Sequence, residues 1–321
     1  MCQKSLSGLR PRGFTRACSS ERGEQGGGGG WRSAGWVRSW WPAWPASSAA
    51  LTRFPPGPRD VLTAAERAAL ASEPAGGDVL VAVVDGGVDT AHPALRDRVV
   101  RTWRAPGLTA ERGTHGTQVA GVLAGSATAA WSGGLAPDAR LLDVQVLDRD
   151  GHGSADDLAA GLRFARTAEA DLVLTSLALG WDASAVRAAV EALVRDGVLV
   201  VASSGNGFDD LPVFPAAYPG VLGVAALDRD GRRLALSAWA GADVAAPGDA
   251  VLAPVPGGGY APVTGTSAAA AVAAGLLAAC GGADHPAAAA PAPPWTSGSV
   301  EDAGRARPRL TCPGHHDEGG R

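Results

Sequence analysis

The 321 residues leave room for one large domain or two small ones, and 45 glycines with a 46% hydrophobic share suit close-packed strands and small-residue helices. A net charge of -4 excludes the strong basic excess of a nucleic-acid binder, and no unbroken apolar run approaches the roughly 20 residues that span a bilayer. Cys2, Cys18, Cys280 and Cys312 are too scattered to read as a disulfide framework, and Cys312 with His315 and His316 lacks the ligand spacing of a zinc site.

The chain opens with an extension over residues 1–77. Lys4 and Arg10 are followed by Pro11 and Arg16 with no apolar segment, so no signal peptide is read there. Basic residues outnumber acids up to Asp60, and Trp31, Trp36, Trp40, Trp41 and Trp44 follow the run Gly26 to Gly30 without a helical or strand period. This reads as a solvated low-complexity segment in preference to a binding arm or a membrane-surface contact, since neither is organised by amphipathic spacing. Residues 61–73 then predict a short helix capped by Thr63 with Glu66 three places on.

From residue 78 the character changes. The runs 79–84, 141–146, 172–177, 198–202 and 221–226 are continuously apolar, as strands buried on both faces of a parallel sheet are. Helical patterns lie between them at about 116–125, 154–168, 183–196 and 267–280. The order predicts an α/β domain over 78–281, a doubly wound and mostly parallel sheet with helices on both faces and a crevice at the C-terminal strand ends. Residues 282–321, rich in Ala, Pro and Gly, are expected to form a disordered tail.

Four residues stand at the edges of that crevice. Asp85 closes the first apolar strand and is followed by Gly86 and Gly87; taken alone, it reads as a turn aspartate. His115 opens a helix between small residues, in the pattern His115-Gly116-Thr117 and Val119-Ala120-Gly121. Asn206 sits in a Gly205-Asn206-Gly207 turn, where it either takes a left-handed turn conformation or aims its amide at a developing oxyanion. Ser267 follows Gly265 and Thr266 at a helix N-terminus, where it either caps the helix or meets the anion-favouring N–H groups.

Together these segments, DGGVDTAHP, HGTQVAG, SGNG and GTSAAAA, resemble the Asp, His, Asn and Ser motifs of the subtilisin-like serine peptidases, the subtilases, in the chain order of that family. The resemblance implies a subtilisin-like fold and a serine endopeptidase with Asp85, His115 and Ser267 as its triad and Asn206 in the oxyanion hole. It further implies a polypeptide substrate held as an extended strand. Gly151 and Gly153 would lie on one side of it and Leu179 and Gly180 on the other, with Ala202, Ser203 and Ser204 lining a pocket. A monomer without nucleic-acid partner or membrane span is expected. No cofactor is evident; structural calcium is common in the family, but the DRDG at 148 lacks the remaining oxygen ligands and reads as a turn. Secretion with a folded propeptide is usual in the family; no signal peptide is seen, and residues 1–77 are about long enough for a propeptide but lack the composition of a core, which would make it a degenerate one.

Several positions depart from the family pattern. Gly86 replaces the usual Ser or Thr, Ala271 the usual Pro, Ala178 the usual Ser, and Ser176 the usual Asn. These bear on efficiency, and they keep open an alternative in which the chain is a weak or inactive subtilase-like binding scaffold. A dinucleotide-binding enzyme is disfavoured, because Asp85-Gly86-Gly87-Val88-Asp89 does not supply G-x-G-x-x-G.

Overall fold

The computed structural model describes residues 56–62, 67, 79–207 and 211–280, with backbone alone for the strands at 30–32, 296–302 and 305–310. The helix expected over 61–73 and the two domain boundaries fall largely outside the described residues.

In chain order the strands are β1 (Gly30–Arg32), β2 (Leu80–Asp85), β3 (Val99–Arg104), β4 (Arg140–Gln145), β5 (His152–Ser154), β6 (Leu172–Thr175), β7 (Leu199–Ser203), β8 (Val221–Leu227), β9 (Val244–Pro247), β10 (Val251–Val255), β11 (Gly259–Val263), β12 (Thr296–Asp302) and β13 (Arg305–Leu310). The helices are α1 (Thr114–Ala124), α2 (Ala155–Thr167), α3 (Ser184–Arg195) and α4 (Thr266–Ala279).

Strands β3, β4, β2, β6, β7, β8 and β9 lie side by side in that order and pair in parallel, and β13 and β12 extend the β9 edge. Parallel neighbours need crossovers, and helices lie in three of them: α1 between β3 and β4, α2 between β4 and β6, and α3 between β6 and β7. Leu141, Val81 and Val83 pack with α1 and α4 on one face, while Ala82 and Val84 pack with α2 and α3 on the other. The strands have apolar residues at successive positions because both faces are covered, which is why they read as continuous apolar runs.

Register determines the crevice. The pairs Asp85 with Gln145, Val84 with Thr175 and Thr175 with Ala202 bring the C-terminal ends of β2, β4, β6 and β7 to one edge. Between β4 and β6, β2 is the point at which the chain winds off in opposite directions, and doubly wound sheets bind ligands outside such a point. Asp85 therefore closes its strand in the crevice.

Four strands of the described domain, β3, β9, β10 and β11, escape the apolar-run reading. At the sheet edge, β3 has mostly exposed or half-buried side chains, and β9, β10 and β11 carry Pro247, Pro254 and Pro262 in short stretches. Strands β10 and β11 form a separate antiparallel hairpin.

Candidate active site

Asp85 is almost wholly buried at the end of β2. Its carboxylate accepts the Gly86 N–H at 2.7 Å and faces Nδ1 of His115 at 2.8 and 3.0 Å. Because a carboxylate accepts, the proton of the neutral imidazole sits on Nδ1 and Nε2 is left as the basic nitrogen. Burial works to lower the His115 pKa, but the charge and hydrogen bond of Asp85 outweigh it and hold the imidazole above its ordinary value. The ring stays open to the crevice, with about a quarter of the side chain exposed (26%).

His115 is placed by its backbone. Gly113 N–H donates to the Gly86 carbonyl at 2.9 Å, joining the turn after β2 to the start of α1. A Cβ at Gly116 would lie 2.4 Å from the Gly87 carbonyl oxygen, so only glycine allows α1 to come this close.

Across the crevice, Asn206 follows β7 and its Oδ1 accepts the Thr266 N–H at 2.9 Å and the Thr266 hydroxyl at 3.0 Å. With the oxygen engaged, Nδ2 is the donor left for another acceptor. Gly265 makes this contact feasible. Its φ of 129° lies where side chains are strained, and a Cβ there would come within 2.8 Å of the Asn206 amide nitrogen. Ser267 is the second residue of α4, where first-turn N–H groups lack helical partners and the dipole is positive. Its hydroxyl donates to the Ser176 carbonyl at 3.5 Å, a long contact, and Ser176 Oγ donates to the Ser267 carbonyl at 3.4 Å.

The residues expected around substrate are placed unequally. Gly153 lies in β5, which pairs antiparallel with β1: Trp31 faces Gly153 and Arg32 faces His152. Gly151 precedes that strand in a turn with φ 82°. Leu179 is buried, and its N–H and carbonyl are both taken by Phe214, at 2.8 and 2.9 Å, so its main chain is engaged within the protein. Gly180 has open space where a side chain would be. Ala202, Ser203 and Ser204 are buried, and the Ser204 hydroxyl donates to the Ala238 carbonyl at 2.7 Å.

The turn at 148–151 is self-contained. Asp148 Oδ1 accepts the N–H groups of Asp150 and His152 at 2.9 and 2.8 Å, so this oxygen holds the backbone. Among the described residues no group of three or more His, Cys, Asp or Glu side chains is placed to hold a metal ion. Nor, among them, is any helix long and apolar enough to cross a membrane.

Sequence reasoning did not single out Asp143 and Arg112. Asp143 is a buried carboxylate in β4 whose Oδ1 accepts the Val88 N–H at 3.1 Å, and Arg112 Nε lies 3.8 Å from its Oδ2. The signal was present as a lone acidic residue inside the apolar run LLDVQV.

A sequence profile described as Subtilase family matches residues 76–291. Subtilisin BL of Lederbergia lenta is 37% identical over 195 residues, 60% of this chain and 72% of that protein. Alkaline elastase YaB of Bacillus sp. (strain YaB) is 37% identical over 206 residues, 63% of this chain and 54% of that protein. The chain spans between 51% and 59% of the length of seven curated relatives that it matches. Among solved structures, the prenylagaramide maturation protease PagA is similar at a TM-score of 0.59 and 30% identity, over 65% of this chain and 78% of that one. The self-cleaved protease domain of PatA is similar at a TM-score of 0.56 and 32% identity, over 64% and 81%.

Proposed function

The chain belongs to the subtilase family, and from that premise we propose that it is a serine endopeptidase with Asp85, His115 and Ser267 as its triad and Asn206 as an oxyanion donor. The observation that carries the proposal is the buried Asp85 carboxylate on Nδ1 of His115 at 2.8 Å, which leaves Nε2 free to act as a base.

On this reading the Ser267 hydroxyl turns from the Ser176 carbonyl toward His115, giving up only a 3.5 Å contact. Ser267 Oγ attacks the scissile carbonyl while Nε2 takes its proton, and Asp85 stabilises the imidazolium that forms. The carbonyl oxygen becomes an oxyanion, received by Asn206 Nδ2 and the Ser267 N–H at the positive end of α4. Collapse breaks the C–N bond, and His115 returns the proton to the leaving amine. Water, deprotonated by His115, then attacks the Ser267 ester and releases the carboxylic acid.

The substrate is an extended polypeptide alongside β5 and Gly180. Support comes from β1, an extended segment of the same chain that already pairs with β5. Such pairing reads backbone and so favours broad cleavage.

Purified protein is expected to hydrolyse an unfolded polypeptide such as casein, with Ser267→Ala slower by roughly 10⁵- to 10⁶-fold at unchanged thermal stability. Equal hydrolysis by the wild type and the folded variant would refute the assignment.

A further inference from the structure

Two buried carboxylates lie on neighbouring strands, Asp85 at the end of β2 and Asp143 within β4, and the proposed chemistry uses one of them. Asp143 stands on β4 in register with Val83 of β2 and Thr102 of β3, and it is 1% exposed. A carboxylate in such a place needs compensation. What compensates it is specific: the Val88 N–H, on the turn just after Asp85, and the Arg112 guanidinium, on the approach to His115.

The surrounding contacts make the same connection. The stem of Arg112 lies over Gly87, where an added Cβ would meet its Cγ at 2.9 Å. Gln145, also buried on β4, donates to the Glu111 carbonyl at 2.8 Å. The Asp89 N–H donates to the Thr117 hydroxyl of α1 at 3.0 Å. The polar residues of β4 thus reach up to the two segments that carry Asp85 and His115.

We infer that Asp143 is a positioning residue for the Asp85–His115 pair, holding the turn after β2 through Val88 and the approach to α1 through Arg112, and adding a charge that His115 senses. It touches no reacting atom. Its Oδ2 has no hydrogen-bond partner and Arg112 stands 3.8 Å off, so the charged pair is loosely coupled and open to change with protonation. Burial pushes the Asp143 carboxyl up to about 6, against the opposing pull of Arg112, Val88 and Thr102 and with a further push from Asp85. As pH rises Asp143 therefore gains its charge before His115, held above 6.5, loses its own.

The inference rests on the protease reading for its kinetic arm alone. The test is a titration of the His115 imidazole by NMR in the full-length chain, with kcat/KM on a peptide substrate measured over the same pH range. Asp143→Asn keeps an oxygen for Val88 but removes the charge. It is expected to lower the His115 midpoint by on the order of half a pH unit. The acid limb of kcat/KM should follow, with a fall of roughly 3- to 10-fold at its plateau.

Arg112→Gln removes a positive charge and should move the midpoint the opposite way, while Arg112→Lys should restore much of the wild-type value. A purely structural role would not give opposite signs. An unchanged His115 midpoint in folded Asp143→Asn, or shifts of the same sign in Asp143→Asn and Arg112→Gln, overturns the inference. Should Asp143→Asn fail to fold, the Arg112→Gln and Arg112→Lys pair decides it alone. A wild type without peptidase activity would sink the proposed function and leave the titration to judge Asp143.

Discussion

The two faces of the sheet are built from different helices, and the difference separates what holds the protein together from what makes it reactive. On one face, α2 and α3 are amphipathic. Leu158, Leu162, Val186, Val190 and Leu193 face the sheet, while Arg and Asp residues face water, and Ser154 with Asp157 closes α2 in a capping box. On the other face α4 is buried along its whole length and is mostly Ala, because it must lie close to α1 and the strands. Both α1 and α4 end at the crevice, and each presents a residue of the proposed triad near its N-terminus. The first face is organised by solvation, the second by close approach.

That contrast is open to breakage. Asp85→Asn acts on the α1 and α4 face and is expected to lower kcat/KM by about 10⁴-fold. It should also move the acid limb. His115 must be neutral to act as a base, and Asp85 holds its pKa above the ordinary value, so wild-type activity rises with pH above 6.5. Without that charge burial acts unopposed and the limb moves to lower pH. Stability shares the link: the interaction with protonated His115 is fully present below 6.5 and is lost as pH rises through the raised folded value. A pH profile for both proteins checks the sign.

Asn206→Ala removes one oxyanion donor and should lower kcat by on the order of 100- to 1000-fold with little change in KM, a magnitude known from a member of this family. Steady-state kinetics on one peptide substrate separates the two parameters. Leu162→Ala, on the opposite face, should leave kcat/KM within about 2-fold while lowering stability by roughly 2–5 kcal/mol, as measured by denaturant unfolding. A large loss of activity in folded Leu162→Ala would erase the distinction between the faces.

The sequence was most legible where burial is symmetric. Strands β2, β4, β6, β7 and β8 are covered on both faces and so leave continuous apolar runs. Edge strand β3 has one covered neighbour and exposed side chains, and β9 to β11 are interrupted by proline, so neither leaves such a run. Asp85, His115, Asn206 and Ser267 were conspicuous in the sequence because small residues surround each of them. Gly116 and Gly265 show why, since both stand where a side chain would strike a neighbouring element. Asp143 was not, because a single carboxylate inside an apolar strand carries no pattern, and its meaning depends on Val88 and Arg112, distant in the chain. The commitment of the Leu179 main chain to Phe214 is likewise tertiary and left no trace in the motif.

The proposed chemistry stands on Ser267 as a nucleophile activated by His115. Labelling of the purified chain with a fluorophosphonate probe tests it most directly, read by intact mass for wild type, Ser267→Ala and His115→Ala, each shown to be folded by circular dichroism. One adduct is expected on wild type, none on Ser267→Ala and strongly slowed labelling on His115→Ala. A folded wild type that takes up no probe, or labelling that persists in Ser267→Ala, would contradict it.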